Sequence, residues 1–172
     1  MKNFRLFLLV SFLLALSFSA FAKSKQVKTE VKDANGKSVG WAMIRPAGSG
    51  VEVNLSLNDM PAGEHAVHFH EVAKCDAPDF KSAGSHFNPD NKHHGLKNPD
   101  GPHAGDMENF TVNAKGKAHV KILNKNVNLG DDSHSLFSNG GTAIVIHAKA
   151  DDMQNDPSGN SGDRIACGLI TK

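Results

Sequence analysis

The chain lacks the features of several common functional classes. Only two of its 172 residues are cysteines and no C-x-x-C pair occurs, so no cysteine spacing supports a thiolate metal site or a reactive thiol. Its 19 Lys and Arg barely outnumber its 18 Asp and Glu, which argues against a nucleic-acid partner. No low-complexity linker or convincing repeat divides the chain, and helical periodicity is absent after residue 22. One domain with a hydrophobic core is therefore expected.

The first 22 residues, MKNFRLFLLVSFLLALSFSAFA, have the pattern of a signal peptide. Lys2 and Arg5 precede an apolar run, and Ala20-Phe21-Ala22 forms a small-x-small cleavage site. A membrane anchor is the alternative, but the run is shorter than the roughly 20 residues that a span needs. No cysteine lies at the cleavage point, so lipoprotein anchoring is not indicated. We predict a cleaved signal peptide at 1–22, one domain at 23–172, and export from the cytoplasm.

The two cysteines, Cys75 and Cys167, are an even number in a chain predicted to be exported, which favours a disulfide. Closing a loop of about 90 residues stabilises a fold by ~4–5 kcal/mol in the chain-entropy model. The bond would tie the segment before a histidine-rich loop to the C-terminus.

Short alternating segments make up most of the remaining chain. In VEVNLSL, a period of two places the apolar side chains on one face, as in a half-buried strand. Asn35-Gly36, between KQVKTEVKD and VGWAMIR, predicts a hairpin, and NAKGK between NFTV and AHVKIL predicts a second. With TAIVIHAKA and RIACGLI, seven or eight strands are expected. This pattern is typical of an antiparallel sandwich or barrel.

Two long polar segments interrupt the strands, from Glu71 to about Glu108 and from Ala150 to Asp163. Loops of this length need a reason to be ordered and are often functional. The first contains GSHFNPDNKHHGLKNPDGPHAGD, with four histidines and almost nothing apolar to bury. A disulfide at Cys75 and bound metal would order it. The second lacks a lysine cluster and is either a flexible surface loop or part of a site.

His68 and His70, in HAVHFHEV, are candidate metal ligands. Alternation puts them on the face opposite Val67 and Phe69, about 7 Å apart at the backbone, where two imidazoles can converge on one ion. Two solvated surface histidines are the alternative. His65 falls on the inward face and is expected to be a hydrogen-bonded structural histidine.

The loop and the end of a later strand supply further candidates, which are His86, His94, His103, Asp106 and His147. With His68 and His70 they are one ligand short of what two four-coordinate ions need. A histidine that binds both ions through its two nitrogens would balance the count, and so would a water ligand. Imidazole-rich sites suit copper or zinc, and three histidines with one aspartate are typical of zinc.

Six motifs together resemble those of the copper/zinc superoxide dismutases of the bacterial secreted type. They are HAVHFHE, SAGSHFNP, HHG, GPHAGD, IVIHAKADD and GDRIACGLI, in this order over nearly the whole chain after residue 22. The resemblance implies an eight-stranded antiparallel Greek-key β-barrel, one copper and one zinc per chain, and superoxide as the substrate. It also implies conversion of two superoxide ions and two protons to oxygen and hydrogen peroxide, with copper cycling between Cu(II) and Cu(I).

The resemblance assigns a role to each candidate. The implied copper ligands are His68, His70, His86 and His147, and the implied zinc ligands are His86, His94, His103 and Asp106. His86 would thus bridge the metals and take up a proton when copper is reduced. Arg164 matches the arginine that attracts and orients the anion, and Asp151 resembles the carboxylate that links ligands of the two metals. Cys75 and Cys167 match the family disulfide, and His93 is expected not to bind metal.

Other functions stay open beside the enzyme. A periplasmic copper or zinc store or carrier could use the same scaffold, and so could a structural domain that binds only zinc. The intact copper-site histidines and Arg164 favour the enzyme. The sequence leaves open whether the protein is a monomer or a homodimer.

Two histidines and two short motifs lie outside this pattern. His119 and His134 are expected to be solvated surface histidines. Asn54-Leu55-Ser56 and Asn109-Phe110-Thr111 fit the N-glycosylation pattern, which matters only in a eukaryotic secretory pathway. The short basic n-region and the resemblance to bacterial proteins favour the periplasm instead.

Overall fold

The structure, a computed structural model, describes residues 26–172. The predicted signal peptide at 1–22 and the predicted start of the mature domain at residue 23 lie outside the described residues. Among residues 26–172, no helix is long and apolar enough to cross a membrane.

Nine short strands account for most of the regular structure in residues 26–172. They are β1 (Val27–Asp33), β2 (Ser38–Ala47), β3 (Gly50–Leu57), β4 (Gly63–His65), β5 (Val67–His70), β6 (Phe110–Val112), β7 (Ala118–Asn124), β8 (Thr142–His147) and β9 (Arg164–Ile170). Helical structure in the described residues is limited to two single 3-10 turns, Lys81–Ala83 and Ser138–Gly140. The expected eight strands become nine because Ala66 separates β4 from β5.

Seven strands form one sheet in the order β5-β8-β9-β1-β2-β3-β7, and β4 pairs with β6. All of these strand pairs are antiparallel. Strands distant in sequence lie side by side, since β5 pairs with β8 and β1 with β9. The prediction of an all-β antiparallel fold is confirmed.

The first predicted hairpin is present, and the second forms only its turn. Gly36 takes a φ of 78° in the turn between β1 and β2, and the Asp33 carboxylate accepts hydrogen bonds from the backbone N–H groups of Asn35 and Lys37. At the second turn the Asn113 N–H donates to the Lys117 carbonyl. There, however, β6 pairs with β4 while β7 pairs with β3. The flanking strands diverge into different sheets, which local sequence cannot encode.

The alternation predicted for VEVNLSL gives the main core. Val51, Val53, Leu55 and Leu57 are buried there, along with Ile144 and Ile146 of β8. The intervening β8 residues, Ala143 and Val145, lie in a separate buried cluster with Phe80, Ala83 and Cys167. Because alternate residues of a strand face opposite sides, this second cluster covers the outer face of the sheet.

The outer face is where the predicted ligands of β5 lie. His68 pairs with Val145 and His70 with Ala143 across the β5–β8 ladder, and both side chains are fully buried. They point away from the main core, as predicted, but are not solvated. The loop that supplies Phe80 and Ala83 to the outer cluster is tied to β9 by a disulfide between Cys75 and Cys167, as the cysteine count predicted.

Candidate metal centre

Four histidines from three parts of the chain converge on the outer face of β5 and β8. His68 and His70 lie on β5, His147 ends β8, and His86 comes from the loop, where it forms a backbone bridge with His70. One nitrogen from each ring lies within 4.8 Å of the others, and all four side chains are buried. The fold thus assembles a potential four-nitrogen site.

Each of these rings has one nitrogen that is hydrogen-bonded and one that is not. The partnered nitrogens are His68 Nε2 with Asp151, His70 Nδ1 with the Gly84 carbonyl, His86 Nδ1 with Asp106, and His147 Nδ1 with Ser161 and Gly162. The buried nitrogens without a partner are His68 Nδ1, His70 Nε2, His86 Nε2 and His147 Nε2. Buried polar atoms are normally satisfied, so four convergent unsatisfied nitrogens fit a metal ion.

Burial also keeps these imidazoles neutral. It lowers the pKa of His68 to about 4, that of His86 to about 3 and that of His147 to about 4. The pKa of His70 is likewise held well below its ordinary value, first by burial and then by repulsion from His86 and Arg164. Neutral imidazoles can bind a metal without first losing a proton.

A second group shares His86. Asp106 Oδ1 lies 2.9 Å from His86 Nδ1, 3.1 Å from His94 Nδ1 and 3.4 Å from His103 Nδ1. The His86 and His103 Nδ1 atoms are 3.5 Å apart. A tetrahedral zinc ion with bonds near 2.0 Å separates its ligand atoms by about 3.3 Å, so three histidines and one aspartate at these separations fit zinc.

Asp106 is a carboxylate held ionised. Although burial alone would raise its pKa, hydrogen bonds with His103, His86 and His94 hold that pKa far below its ordinary value. Its Oδ2 accepts hydrogen bonds from the backbone N–H groups of Gly95 and His103, each at 2.9 Å. These two bonds fix the carboxylate and leave Oδ1 facing the three rings.

Asp151 joins the two groups without belonging to either four-residue set. Its carboxylate lies 2.9 Å from His68 Nε2 and 3.0 Å from His94 Nε2. Although burial would lower the pKa of His94, hydrogen bonds with Asp106 and Asp151 raise it to about 9. The structure therefore places Asp151 where the resemblance implied, between one ring of each group.

Arg164 is fixed at the edge of the same site. Its two terminal nitrogens each donate a 2.8 Å hydrogen bond, one to the Phe80 carbonyl and one to the Gly84 carbonyl. Arg164, His86, His103 and His147 line a cavity of about 480 Å³. The guanidinium thus faces open space beside the four-nitrogen group.

The loop at 150–163 forms part of the cavity wall. Asp156, Pro157, Ser158 and Gly162 all line the cavity, and Met153 of the same loop is buried. Of the two alternatives that the sequence left, a flexible surface loop and a wall of the site, the structure supports the wall.

Three other histidines have partners that the sequence did not reveal. His93 belongs to none of the metal-compatible groups found in residues 26–172, but its Nδ1 lies 2.6 Å from Asp156 Oδ2. His134 Nε2 lies 2.9 Å from Asp90 Oδ2, and His119 Nδ1 lies 3.1 Å from the Ser56 hydroxyl. The interpretation of His119 and His134 as merely solvated was therefore incomplete. These pairs join positions far apart in sequence, so no local signal predicts them.

His65 is a buried structural histidine, as predicted. Its Nδ1 lies 2.8 Å from the His147 carbonyl and its Nε2 lies 2.9 Å from the Pro61 carbonyl.

An antiparallel β fold with two ligand groups that share one histidine is the arrangement of a β protein with two neighbouring metal sites. The family described as copper/zinc superoxide dismutase matches residues 38–170 of this chain. With relatives over 40% identical along most of its length, the chain belongs to the copper/zinc superoxide dismutase family.

Several relatives illustrate the match. The chain is 47% identical to superoxide dismutase [Cu-Zn] 1 of Aquifex aeolicus over 162 residues, which cover 92% of this chain and 95% of the relative. A mutant of an SOD-like protein from Bacillus subtilis superposes with a TM-score of 0.82 at 38% identity, covering 84% of this chain and 97% of that one. The Cu/Zn superoxide dismutase from Brucella abortus gives a TM-score of 0.70 at 27% identity, covering 85% of this chain and 99% of that one. These neighbours confirm the predicted barrel class.

Proposed function

We propose that this protein is a superoxide dismutase with one copper and one zinc per chain. Copper would be held by His68, His70, His86 and His147, and zinc by His86, His94, His103 and Asp106. The observation that carries the proposal is a set of four converging buried imidazoles, each with one nitrogen that has no hydrogen-bond partner. A store or carrier needs the same ligands, but it has no need of a fixed cation facing an open cavity.

Copper, when bound, supplies the one-electron exchange that converts two superoxide ions and two protons to oxygen and hydrogen peroxide. Arg164 attracts the anion, because its charge is permanent and its guanidinium is held by two carbonyls beside the cavity. Its orientation is set before the anion arrives, so little reorganisation is needed on binding.

His86 offers a different nitrogen to each of the two ligand groups. Its Nδ1 lies against the Asp106 carboxylate and its Nε2 faces the four-nitrogen group. His86 would be held by both metals, and we assign its Nε2 as the atom at which the chain takes up and releases the proton delivered to peroxide.

We also propose that the protein acts in the periplasm after removal of residues 1–22. The disulfide between Cys75 and Cys167 supports an oxidising compartment outside the cytoplasm, where such bonds persist.

The proposal is tested by measuring superoxide dismutation on the mature protein as purified, after copper removal and after copper restoration. We expect activity to disappear with copper and to return with it, while zinc stays bound. Both metals bound without activity would instead identify a store or carrier, and refusal of copper with zinc bound would identify a structural domain.

A further inference from the structure

The two glycosylation-type motifs place their asparagines in very different surroundings. Asn54 lies on β3, and its Nδ2 donates to the Glu52 carboxylate beside it. Asn109 precedes β6 and makes two hydrogen bonds to a residue 42 positions away, Asp151. Only the second asparagine is therefore linked to the metal centre.

The Asn109 side chain binds both backbone polar groups of Asp151. Its Nδ2 donates to the Asp151 carbonyl at 2.9 Å, and its Oδ1 accepts from the Asp151 N–H at 2.9 Å. An asparagine amide has one donor group and one acceptor, and here both are used on a single residue. The Asp151 backbone lies in a loop outside the strands, so this amide takes the place of a strand partner.

The Asp151 carboxylate is confined as closely as its backbone. It contacts His68 and His94, and it accepts a hydrogen bond from the Met153 N–H at 2.6 Å. Gly159, at a φ of 60°, packs so close that a Cβ there would collide with Asp151 Oδ1. A small movement of the Asp151 backbone would therefore displace the contacts of both rings together.

We propose that Asn109 is a positioning residue that sets the affinity for both metals through Asp151. The inference rests on the two-metal site proposed above. His68 belongs to the copper group and His94 to the zinc group, and Asp151 is hydrogen-bonded to both. Groups that orient metal-binding histidines typically change metal affinity by roughly 10- to 100-fold when they are lost. A glycan on Nδ2 would break the hydrogen bond from Asn109 to the Asp151 carbonyl.

The test compares Asn109→Ala with Asn54→Ala, which removes the same atoms from the same sequence motif. Zinc affinity is measured by chelator competition on copper-free protein, and copper affinity on zinc-loaded protein, both well below the unfolding temperature. We expect Asn109→Ala to weaken both affinities by about 10-fold and Asn54→Ala to weaken neither. Asn109→Asp, of equal volume, turns an acceptor toward the Asp151 carbonyl and should weaken both without leaving a cavity.

A double-mutant cycle shows whether Asn109 acts through Asp151. In an Asp151→Ala background, Asn109→Ala should cause no further loss of affinity for either metal. Unchanged affinities in both Asn109 variants, even with a lowered unfolding temperature, would overturn the inference and leave Asn109 a purely structural residue. A parent protein that fails to bind both metals would instead overturn the proposed function.

Discussion

The Nδ1 atom of His86 lies 2.9 Å from Asp106 Oδ1, while the Nε2 atom of the same ring is buried without a partner. One ring therefore presents a different nitrogen to each of two ligand groups. The sequence left two ways to complete the ligand count, a shared histidine or a water. The placement of His86 in both groups supports the shared histidine.

Replacing His147 should affect the copper site and not the zinc site. His147→Ala removes one of the four unpartnered nitrogens and leaves all four members of the second group in place, so we expect loss of copper and of dismutation with zinc retained. Metal content per chain and activity measure this, with His119→Ala as a control on the exposed sheet face. Full copper-dependent activity in His147→Ala would contradict the proposed copper site.

Replacing Arg164 should weaken the attraction of the anion without affecting metal binding. Arg164→Gln should keep both metals but lower kcat/KM by roughly 10- to 100-fold and weaken its dependence on ionic strength, because a charge beside the cavity is lost. Arg164→Lys should fall in between, since it keeps the charge but not the paired carbonyl contacts.

The matched control is Arg45→Gln. Arg45 is an exposed arginine of β2 paired with Glu52, and kcat/KM should not change when it is replaced. If Arg164→Gln and Arg45→Gln have equal kcat/KM, Arg164 has no role in attracting the anion.

The metal-free protein should be most stable near pH 6.5. The pKa values of His68, His86 and His147 are lowered from 6.5 to about 4, 3 and 4, so between pH 6.5 and 4 the unfolded chain binds protons that the folded chain does not. The free energy of unfolding therefore falls as the pH is lowered. The pKa of His94 is raised to about 9, so stability also falls as the pH rises from 6.5 to 9.

Urea unfolding of chelated protein at three pH values, about 4.5, 6.5 and 9, tests both limbs of this profile. A stability that is flat, or that rises toward either extreme, would contradict the assignment of these four histidines as perturbed groups.

Removing the disulfide should weaken the fold and disturb the arginine. In Cys75→Ser/Cys167→Ser, opening a loop of 92 residues should lower the free energy of unfolding by ~4–5 kcal/mol in the chain-entropy model. Phe80 and Gly84, whose carbonyls hold Arg164, follow Cys75 in the same loop, so kcat/KM should fall even in folded, metal-loaded protein. An unchanged free energy of unfolding together with an unchanged kcat/KM would show that the disulfide neither stabilises the fold nor positions Arg164.

Local pattern predicted most of the fold and of the candidate site. Alternation located β3 and β5, and paired histidines on β5 with ligand-type residues in one loop pointed to two ions. Alternation could not show that His68 and His70 are covered, because the residues that contact them, His86 and Asp151, come from loops further along the chain. The divergence of β6 from β7 and the Asn109–Asp151 contact were missed for the same reason, since both depend on pairing across long sequence distances.

Anomalous diffraction from crystals of the metal-loaded protein, recorded at the copper and zinc absorption edges, tests the two-metal account most directly. The account predicts one copper peak among His68 Nδ1 and the Nε2 atoms of His70, His86 and His147. It predicts one zinc peak among the Nδ1 atoms of His86, His94 and His103 and Asp106 Oδ1. A copper peak elsewhere, or a His86 ring that contacts only one of the two metals, would contradict it.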